Sequence, residues 1–203
     1  MDTKIRPGAD DRTPEPAYLE ITMRTLDIAI GIIWIAFWVY WLAAASGAKE
    51  TTGTGRTRRP PGMFIGILAL IVIRAFHPAA ATIHAPVVQA IGTILFVAGL
   101  GLAVWARVYL GRNWGMPMTQ KQEPELVTSG PYSRVRHPIY TGILLAMVGT
   151  ALASSLYWLV AAVITGTYFL YSATVEERNL NATFPSTYPD YQARTKKVIP
   201  FLL

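Results

Sequence analysis

Residues 140–171, YTGILLAMVGTALASSLYWLVAAVITGTYFLY, decide the fold class because all thirty-two lack a charged side chain. At a rise of about 1.5 Å per residue, one upright helix of this length would far exceed a hydrocarbon core roughly 30 Å thick. Two tightly joined helices fit, and Ser154 and Ser155 are the natural corner between them. We therefore predict a helix-turn-helix hairpin, with a fourth span at 139–153 and a fifth at 156–181.

The rest of the chain has the same membrane character. Its 203 residues are 52% hydrophobic and only 15% charged, and the mean hydropathy is +0.34, well away from soluble globular averages. Further apolar stretches predict the first, second and third spans at 26–45, 63–76 and 86–106. The sequence thus predicts an all-α integral membrane protein with about five transmembrane helices. Residues 1–25 are expected to form a flexible tail, and residues 26–203 a single transmembrane domain.

Two residue patterns within the spans predict how the helices pack. The aromatic residues of the first span are expected to face lipid or the membrane interface: Trp34, Trp38, Tyr40 and Trp41. The glycines of the third span are expected to let neighbouring helices approach closely: Gly92, Gly99 and Gly101.

The distribution of Lys and Arg predicts the orientation of the chain in the membrane. A five-span arrangement puts thirteen of them on one side, in the loop after the first span, the long polar loop 107–138 and the C-terminal segment: Lys49, Arg56, Arg58, Arg59, Arg107, Arg112, Lys121, Arg134, Arg136, Arg178, Arg194, Lys196 and Lys197. Only Arg74 lies in the opposite hairpins. By the positive-inside rule, the long loop and the C-terminus are expected in the cytoplasm and the N-terminus outside.

Composition also excludes several functional classes. The chain has no cysteine, which excludes a disulfide scaffold, a thiolate metal site and a cysteine nucleophile. His77 and His84 have no acidic neighbours in sequence, so no metal site is expected. The net charge of +6 belongs to the basic membrane loops, and no nucleic-acid partner is expected.

The predicted hairpin brings ionisable residues together at one membrane boundary. Because each helix returns the chain to its starting depth, Arg136, His137 and Tyr140 are expected opposite Glu176 and Glu177. Ionisable residues at such a boundary indicate a functional site, and the alternative is a snorkelling face with local ion pairs.

Three motifs carry a family resemblance: LGRNW at 110–114, LVTSGPY at 126–132 and VRHPIYTG at 135–142. Together with the downstream residues Glu176, Glu177, Phe184, Tyr188, Tyr191, Arg194, Ile199 and Pro200, they resemble the isoprenylcysteine carboxyl methyltransferase and phospholipid methyltransferase superfamily. The resemblance covers residues 107–203. One departure is that many members carry a histidine shortly before the Leu-Val pair, where this chain has Gln122-Glu123-Pro124-Glu125.

The resemblance implies an integral-membrane methyltransferase that uses S-adenosyl-L-methionine and takes a lipophilic acceptor from the bilayer. It implies that the cofactor is bound by Tyr132, Arg136, His137, Pro138, Tyr140, Glu176, Glu177 and Tyr188. It further implies catalytic roles for Arg194, Glu177 and Tyr140, with Arg194 orienting an anionic group of the acceptor. No glycine-rich dinucleotide fingerprint is present to bind the cofactor instead.

Several acceptor classes remain open. Carboxyl O-methylation of a prenylated cysteine is the activity that the family name implies, but phospholipid N-methylation and S-methylation of lipophilic thiols use the same motifs. A non-catalytic lipid-binding membrane protein is the alternative from another class. It predicts a lost acidic pair or a broken Arg-His-Pro-x-Tyr motif, and both are intact in this sequence.

Overall fold

The computed structural model describes residues 17–45, 82–114 and 125–199, which form five α-helices. They are α1 (Ala17–Ala45), α2 (Pro86–Leu110), α3 (Pro138–Ala153), α4 (Trp158–Thr183) and α5 (Tyr188–Arg194). Short 3₁₀ turns at Gly111–Asn113 and Gly130–Ser133 lie between α2 and α3. In these ranges the only β-type pairing consists of two isolated bridges.

Three helices in the described part of the chain are long and apolar enough to cross a membrane: Ile21–Ala44, Pro86–Asn113 and Trp158–Thr183. The fourth apolar helix, Pro138–Ala153, is shorter. The class of an all-helical integral membrane protein is therefore confirmed, whereas the count of five spans stays a prediction. The predicted second span at 63–76 lies outside the described residues. Helix α1 begins at Ala17, earlier than the predicted first span, and includes residues 17–25.

Glycines make the contact between α2 and α3 close. A Cβ added at Gly99 would lie within 3 Å of the Gly142 carbonyl oxygen, and one at Gly92 equally close to the carbonyl oxygen of Gly149. Side chains larger than hydrogen would push the helices apart at these points. The prediction is confirmed for Gly92 and Gly99 but wrong for Gly101, where an added Cβ meets nothing within 4 Å. The two pairings run antiparallel, which sets the end of α2 beside the start of α3.

The aromatic residues of α1 fill the space between this helix and helices α2, α3 and α4. Trp34 and Trp41 are buried; the Trp34 ring stacks on Trp158 at 6.3 Å, and its Nε1 donates to Thr150 Oγ1 at 3.2 Å. The prediction that these two indoles face lipid or the interface is wrong, because Trp34 packs against Phe96 and Trp158, and Trp41 packs against Trp114. Tyr40, at 37% exposure, is the more accessible of the aromatic residues.

The chain turns back on itself at two places that position the site. Helix α3 ends at Ala153 at the predicted corner, where the Ser154 carbonyl accepts from Ile83 N at 3.0 Å. After α5, residues 195–198 run beside residues 134–137: Lys196 O and Lys197 O accept from the backbone N–H groups of Arg136 and His137 at 2.8 and 3.0 Å. This pairing ties the end of the described chain to the start of α3.

Candidate functional site

The Arg-His-Pro segment, residues 136–138, lies at the start of helix α3. Pro138 is the first helical residue, where its fixed φ suits a helix start and its missing N–H costs no hydrogen bond. It is fully buried. With the backbone of Arg136 and His137 paired to residues 196 and 197, both side chains are held at the start of α3.

Glu177 is the centre of a buried polar network. Arg136 Nε donates to its Oε1 at 2.7 Å, and His137 Nε2 lies 3.3 Å from the same oxygen. Its Oε2 accepts from Gln192 Nε2 at 3.2 Å and pairs with Lys197 Nζ at 3.3 Å. Four side chains from three parts of the chain thus converge on one buried carboxylate. A buried charge tolerates such a position only when it is paired and hydrogen-bonded in this way.

The guanidinium of Arg136 links this network to the C-terminal segment. Its Nε donates to Glu177, and its Nη1 donates to the carbonyl of Gln192 at 3.1 Å and to the carbonyl of Thr195. The arginine therefore fixes the end of α5 against the acidic pair.

Glu176 occupies a different environment from its neighbour. Its side chain is 25% exposed, against 6% for Glu177. Tyr140 OH donates to Glu176 Oε1 at 2.6 Å, and His137 Nδ1 lies 3.4 Å from Oε2. Of the two carboxylates, Glu176 is the one that a molecule outside the protein core can reach.

Three aromatic rings stack beside Glu176. The His137 and Tyr140 rings are 5.4 Å apart with planes 7° from parallel, and Tyr140 stacks on Phe169 at 4.2 Å and 10°. The predicted convergence of Arg136, His137 and Tyr140 on the acidic pair is thus present in the structure, and the stack adds an aromatic surface next to a carboxylate.

The pKa of His137 reflects two opposing influences. Burial disfavours the imidazolium and by itself lowers the pKa, but hydrogen bonds to Glu176 and Glu177 and their charges outweigh burial, so the pKa is raised. The imidazolium is therefore favoured between the two carboxylates.

Two of the predicted tyrosines pack beneath this cluster. Tyr132 OH donates to the carbonyl of Ala106 at 3.3 Å, and the Tyr132 carbonyl accepts from Tyr191 OH at 2.7 Å. Burial raises the pKa of Tyr191 to about 12, which keeps its phenol a donor. Tyr188 is fully buried, and its hydroxyl has no hydrogen-bond partner in the structure described.

Arg194 stands apart from the other predicted residues. It lies in the last turn of α5 with an exposed side chain, and among the described residues it makes no hydrogen bond or ion pair. The structure therefore does not bring its guanidinium into the acidic cluster.

Gln192 and Lys197 belong to the cluster although sequence reasoning did not select them. Lys197 Nζ contacts both Glu177 and Thr174 Oγ1, the latter at 3.2 Å. No sequence pattern indicates that Gln192 and Lys197 belong to the site, because their contacts with Glu177 join separate helices and segments. Within the described ranges, no group of three or more His, Asp or Glu residues is arranged to hold a metal ion. At residues 122–125 the sequence departs from the family motif. Glu125 accepts from Asn113 Nδ2 at 3.1 Å, and residues 122–124 are not among the residues that the structure describes.

Comparison with known proteins adds a family match. Residues 87–187 match the family described as phospholipid methyltransferase. The chain is 31% identical over 112 residues to a nickel-cobalt-cadmium resistance protein of Alcaligenes xylosoxydans xylosoxydans, a match covering 54% of this chain and 51% of that protein. It is 29% identical over 115 residues to protein-S-isoprenylcysteine O-methyltransferase B of Arabidopsis thaliana, covering 55% and 58%. The chain thus spans about half the length of the curated relatives it matches.

A solved structure shares the fold. The structure of a eukaryotic intramembrane Ras methyltransferase, isoprenylcysteine carboxyl methyltransferase, superposes with a TM-score of 0.65. The match covers 91% of this chain and 68% of that one at 22% sequence identity. At this identity the likeness shows a common fold.

Proposed function

Because the chain belongs to the superfamily of isoprenylcysteine carboxyl methyltransferases and phospholipid methyltransferases, we propose that it is an integral-membrane methyltransferase dependent on S-adenosyl-L-methionine. Its acceptor is a lipophilic molecule from the bilayer, in the first instance an isoprenylcysteine-type carboxylate. The observation that carries the proposal is the partly exposed Glu176 carboxylate, set beside stacked aromatic rings and braced by a buried ionic network.

The residues present fit S-adenosylmethionine, which carries a sulfonium, an ammonium, a carboxylate and an adenine ring. Glu176 is an accessible carboxylate for the ammonium. The stacked rings of His137, Tyr140 and Phe169 form an aromatic wall beside this carboxylate, and the first two contact it directly. The buried hydroxyl of Tyr188, which has no hydrogen-bond partner in the described structure, is a further polar group in this region that can bind the cofactor. When bound, S-adenosylmethionine supplies a methyl group activated by the positive charge on sulfur.

The chain's own residues contribute binding and orientation. Glu177 fixes Arg136, His137, Gln192 and Lys197, so it acts as a positioning residue that keeps the start of α3 against α4. The Tyr140 hydroxyl donates a hydrogen bond to Glu176 and fixes the direction of that carboxylate. Holding two reacting groups in line and excluding water accounts for most of the acceleration that such a transfer needs.

Arg194 is proposed to orient an anionic group of the acceptor from the exposed end of α5. Gln192 O and Thr195 O, which flank this residue, bind Arg136, so Arg194 is mounted on the braced segment. A planar guanidinium there can hold a carboxylate or phosphate through two parallel hydrogen bonds.

The site is proposed to face the cytoplasm, with the N-terminus outside, on the distribution of basic residues. A reporter fused after Leu203 tests this orientation. If that reporter is active only in the external compartment, the C-terminus lies outside and the proposed orientation is wrong.

The methyltransferase proposal is tested with purified protein in detergent. Calorimetric titration with S-adenosylmethionine is followed by methyl transfer from the labelled cofactor to carboxylates, thiols and amines on the same prenyl chain. We expect saturable binding, weakened by Glu176→Gln and unaffected by Asp190→Asn, which makes the same exchange of carboxylate for amide at an exposed site on α5. Absence of cofactor binding in a folded protein that binds prenyl lipids would support the lipid-binding alternative instead.

A further inference from the structure

Arg107 is a buried arginine that neither the sequence motifs nor the proposed cofactor site uses. It lies in the last turn of α2 and is only 6% exposed. Its Nη2 donates to the carbonyl of Ala44 at 2.6 Å and its Nη1 to the carbonyl of Gly111 at 2.9 Å. The guanidinium carbon lies 4.4 Å from the centre of the Trp114 ring. The side chain is therefore held firmly in one place.

No carboxylate among the described residues balances this charge. A guanidinium has five N–H donors, and within the described ranges two of those of Arg107 are engaged. Its buried Nε has no hydrogen-bond partner in the part of the chain that the structure describes. Two carbonyl dipoles and an indole face stabilise a cation less than an anion does, and an ionised side chain buried at a membrane boundary normally has an ionic partner. The environment of Arg107 is thus electrostatically incomplete.

Arg107 lies at the same end of the helix bundle as the acidic cluster. An added Cβ at Gly142 would meet the backbone of Ala103, so the turn of α2 that follows Ala103 lies beside the start of α3. Tyr132 donates to the carbonyl of Ala106, and its hydroxyl interacts electrostatically with both Arg107 and Glu176. Tyr132 therefore lies within electrostatic range of both the buried cation and the proposed cofactor carboxylate.

We propose that Arg107 binds the anionic group of the methyl acceptor, a carboxylate or phosphate oxygen that accepts from its unpartnered Nε–H inside the helix bundle. This rests on the proposed function and adds a second, interior anion contact to the exposed Arg194.

The same chemistry could be supplied by an anionic phospholipid of the bilayer. The position of Arg107 favours the acceptor, because the guanidinium is enclosed by the end of α1 and by Trp114 instead of facing outward. Arg112, on the same segment, is exposed and is the cation that a surface headgroup would meet. This contrast supplies a matched control.

The test compares binding of N-acetyl-S-farnesylcysteine, which carries a carboxylate, with binding of its uncharged methyl ester. The parent, Arg107→Gln and Arg112→Gln are measured in nanodiscs of neutral phosphatidylcholine, without S-adenosylmethionine. We expect the parent to prefer the carboxylate by about ten- to a hundredfold, the range for a charge-assisted hydrogen bond. Arg107→Gln should lose most of this preference while keeping the affinity for the ester, because Arg194 remains as the outer anion contact, and Arg112→Gln should behave as the parent.

Each outcome decides the matter. A parent without preference, or a folded Arg107→Gln variant with the parent's preference, overturns the proposal. Should Arg107→Gln fail to fold, Arg107→Lys replaces it: a reduced preference supports the proposal, and an unchanged one overturns it. If phosphatidylglycerol stabilises the parent but not Arg107→Gln while the preference is equal in both, the site belongs to a bilayer lipid. A parent that prefers the carboxylate but binds no S-adenosylmethionine would reject the methyltransferase function alone.

Discussion

Replacing Glu176 or Glu177 by glutamine is expected to cause two different defects. Glu177 is buried and paired with Arg136, His137 and Lys197, so its neutralisation leaves buried cations without their anion. Glu176 is partly exposed, accepts from Tyr140 and lies 3.4 Å from His137 Nδ1, but His137 keeps its pairing with Glu177 when Glu176 is neutralised. We therefore expect Glu177→Gln to lower stability and Glu176→Gln to lower cofactor affinity in a protein of nearly normal stability.

The magnitudes follow from these environments. Removing one partner of a buried ion pair costs about 3–5 kcal/mol of folding free energy. Loss of the charge-assisted hydrogen bond that Glu176 is proposed to make to the cofactor ammonium costs about 1.5–3 kcal/mol, which is roughly ten- to a hundredfold in dissociation constant. The two losses are large enough to separate in measurements on the same preparations.

Thermal unfolding in detergent, followed by tryptophan fluorescence, gives the stability, and calorimetry with S-adenosylmethionine gives the affinity. Asp190→Asn serves as the control for exchanging a carboxylate for an amide. Glu177→Gln should melt several degrees below the parent, and Glu176→Gln close to it. The assignment of a bracing role to one carboxylate and a binding role to the other is refuted if Glu176→Gln melts as low as Glu177→Gln, or if Glu177→Gln keeps the parent's melting temperature.

Three further predictions concern pH, packing and turnover. The acidic neighbours of His137 raise its pKa, so its imidazolium contributes fully to folding stability below the unfolded pKa of about 6.5. This contribution is lost as the pH rises through the raised pKa. Between pH 6 and 9, the melting temperature should therefore fall more steeply for the parent than for His137→Gln. Gly99→Ala should reduce stability, whereas Gly101→Ala, with open space around it, should not; equal melting temperatures would contradict the close helix contact. Arg194→Gln should slow methyl transfer to anionic acceptors with little change in calorimetric cofactor affinity, and unchanged turnover would leave Arg194 a solvated surface charge.

The parts of the fold that sequence predicts well are those set by local pattern and chain geometry. An uncharged run too long for one membrane crossing requires a turn, and the helices indeed break between Ala153 and Trp158. The same geometry predicts that Tyr140 approaches Glu176, and the two are hydrogen-bonded at 2.6 Å. Such inferences need only the rise per residue and the position of a corner.

The identity of partners across the bundle could not be predicted in this way. Trp34 belongs to a residue type that is common at membrane interfaces, and its packing on Phe96 and Trp158 and its hydrogen bond to Thr150 make it an interior residue. Gly101 resembles Gly99 in sequence but points away from α3. Whether a membrane residue faces lipid or protein depends on the neighbouring helix, because both environments are apolar.

Arg107 shows the same limit for a charged residue, and here the limit bears on function. Counted with the basic loop, it contributes to the orientation argument as one positive charge among thirteen. The structure instead encloses its guanidinium between the end of α1 and Trp114. A charge that only set topology would lose nothing by remaining in water, whereas burial without an anion has a cost that some interaction must offset. The carbonyls of Ala44 and Gly111 offset part of it, and a bound anion would supply the rest, so binding of an anionic acceptor should also stabilise the junction of α1 and α2.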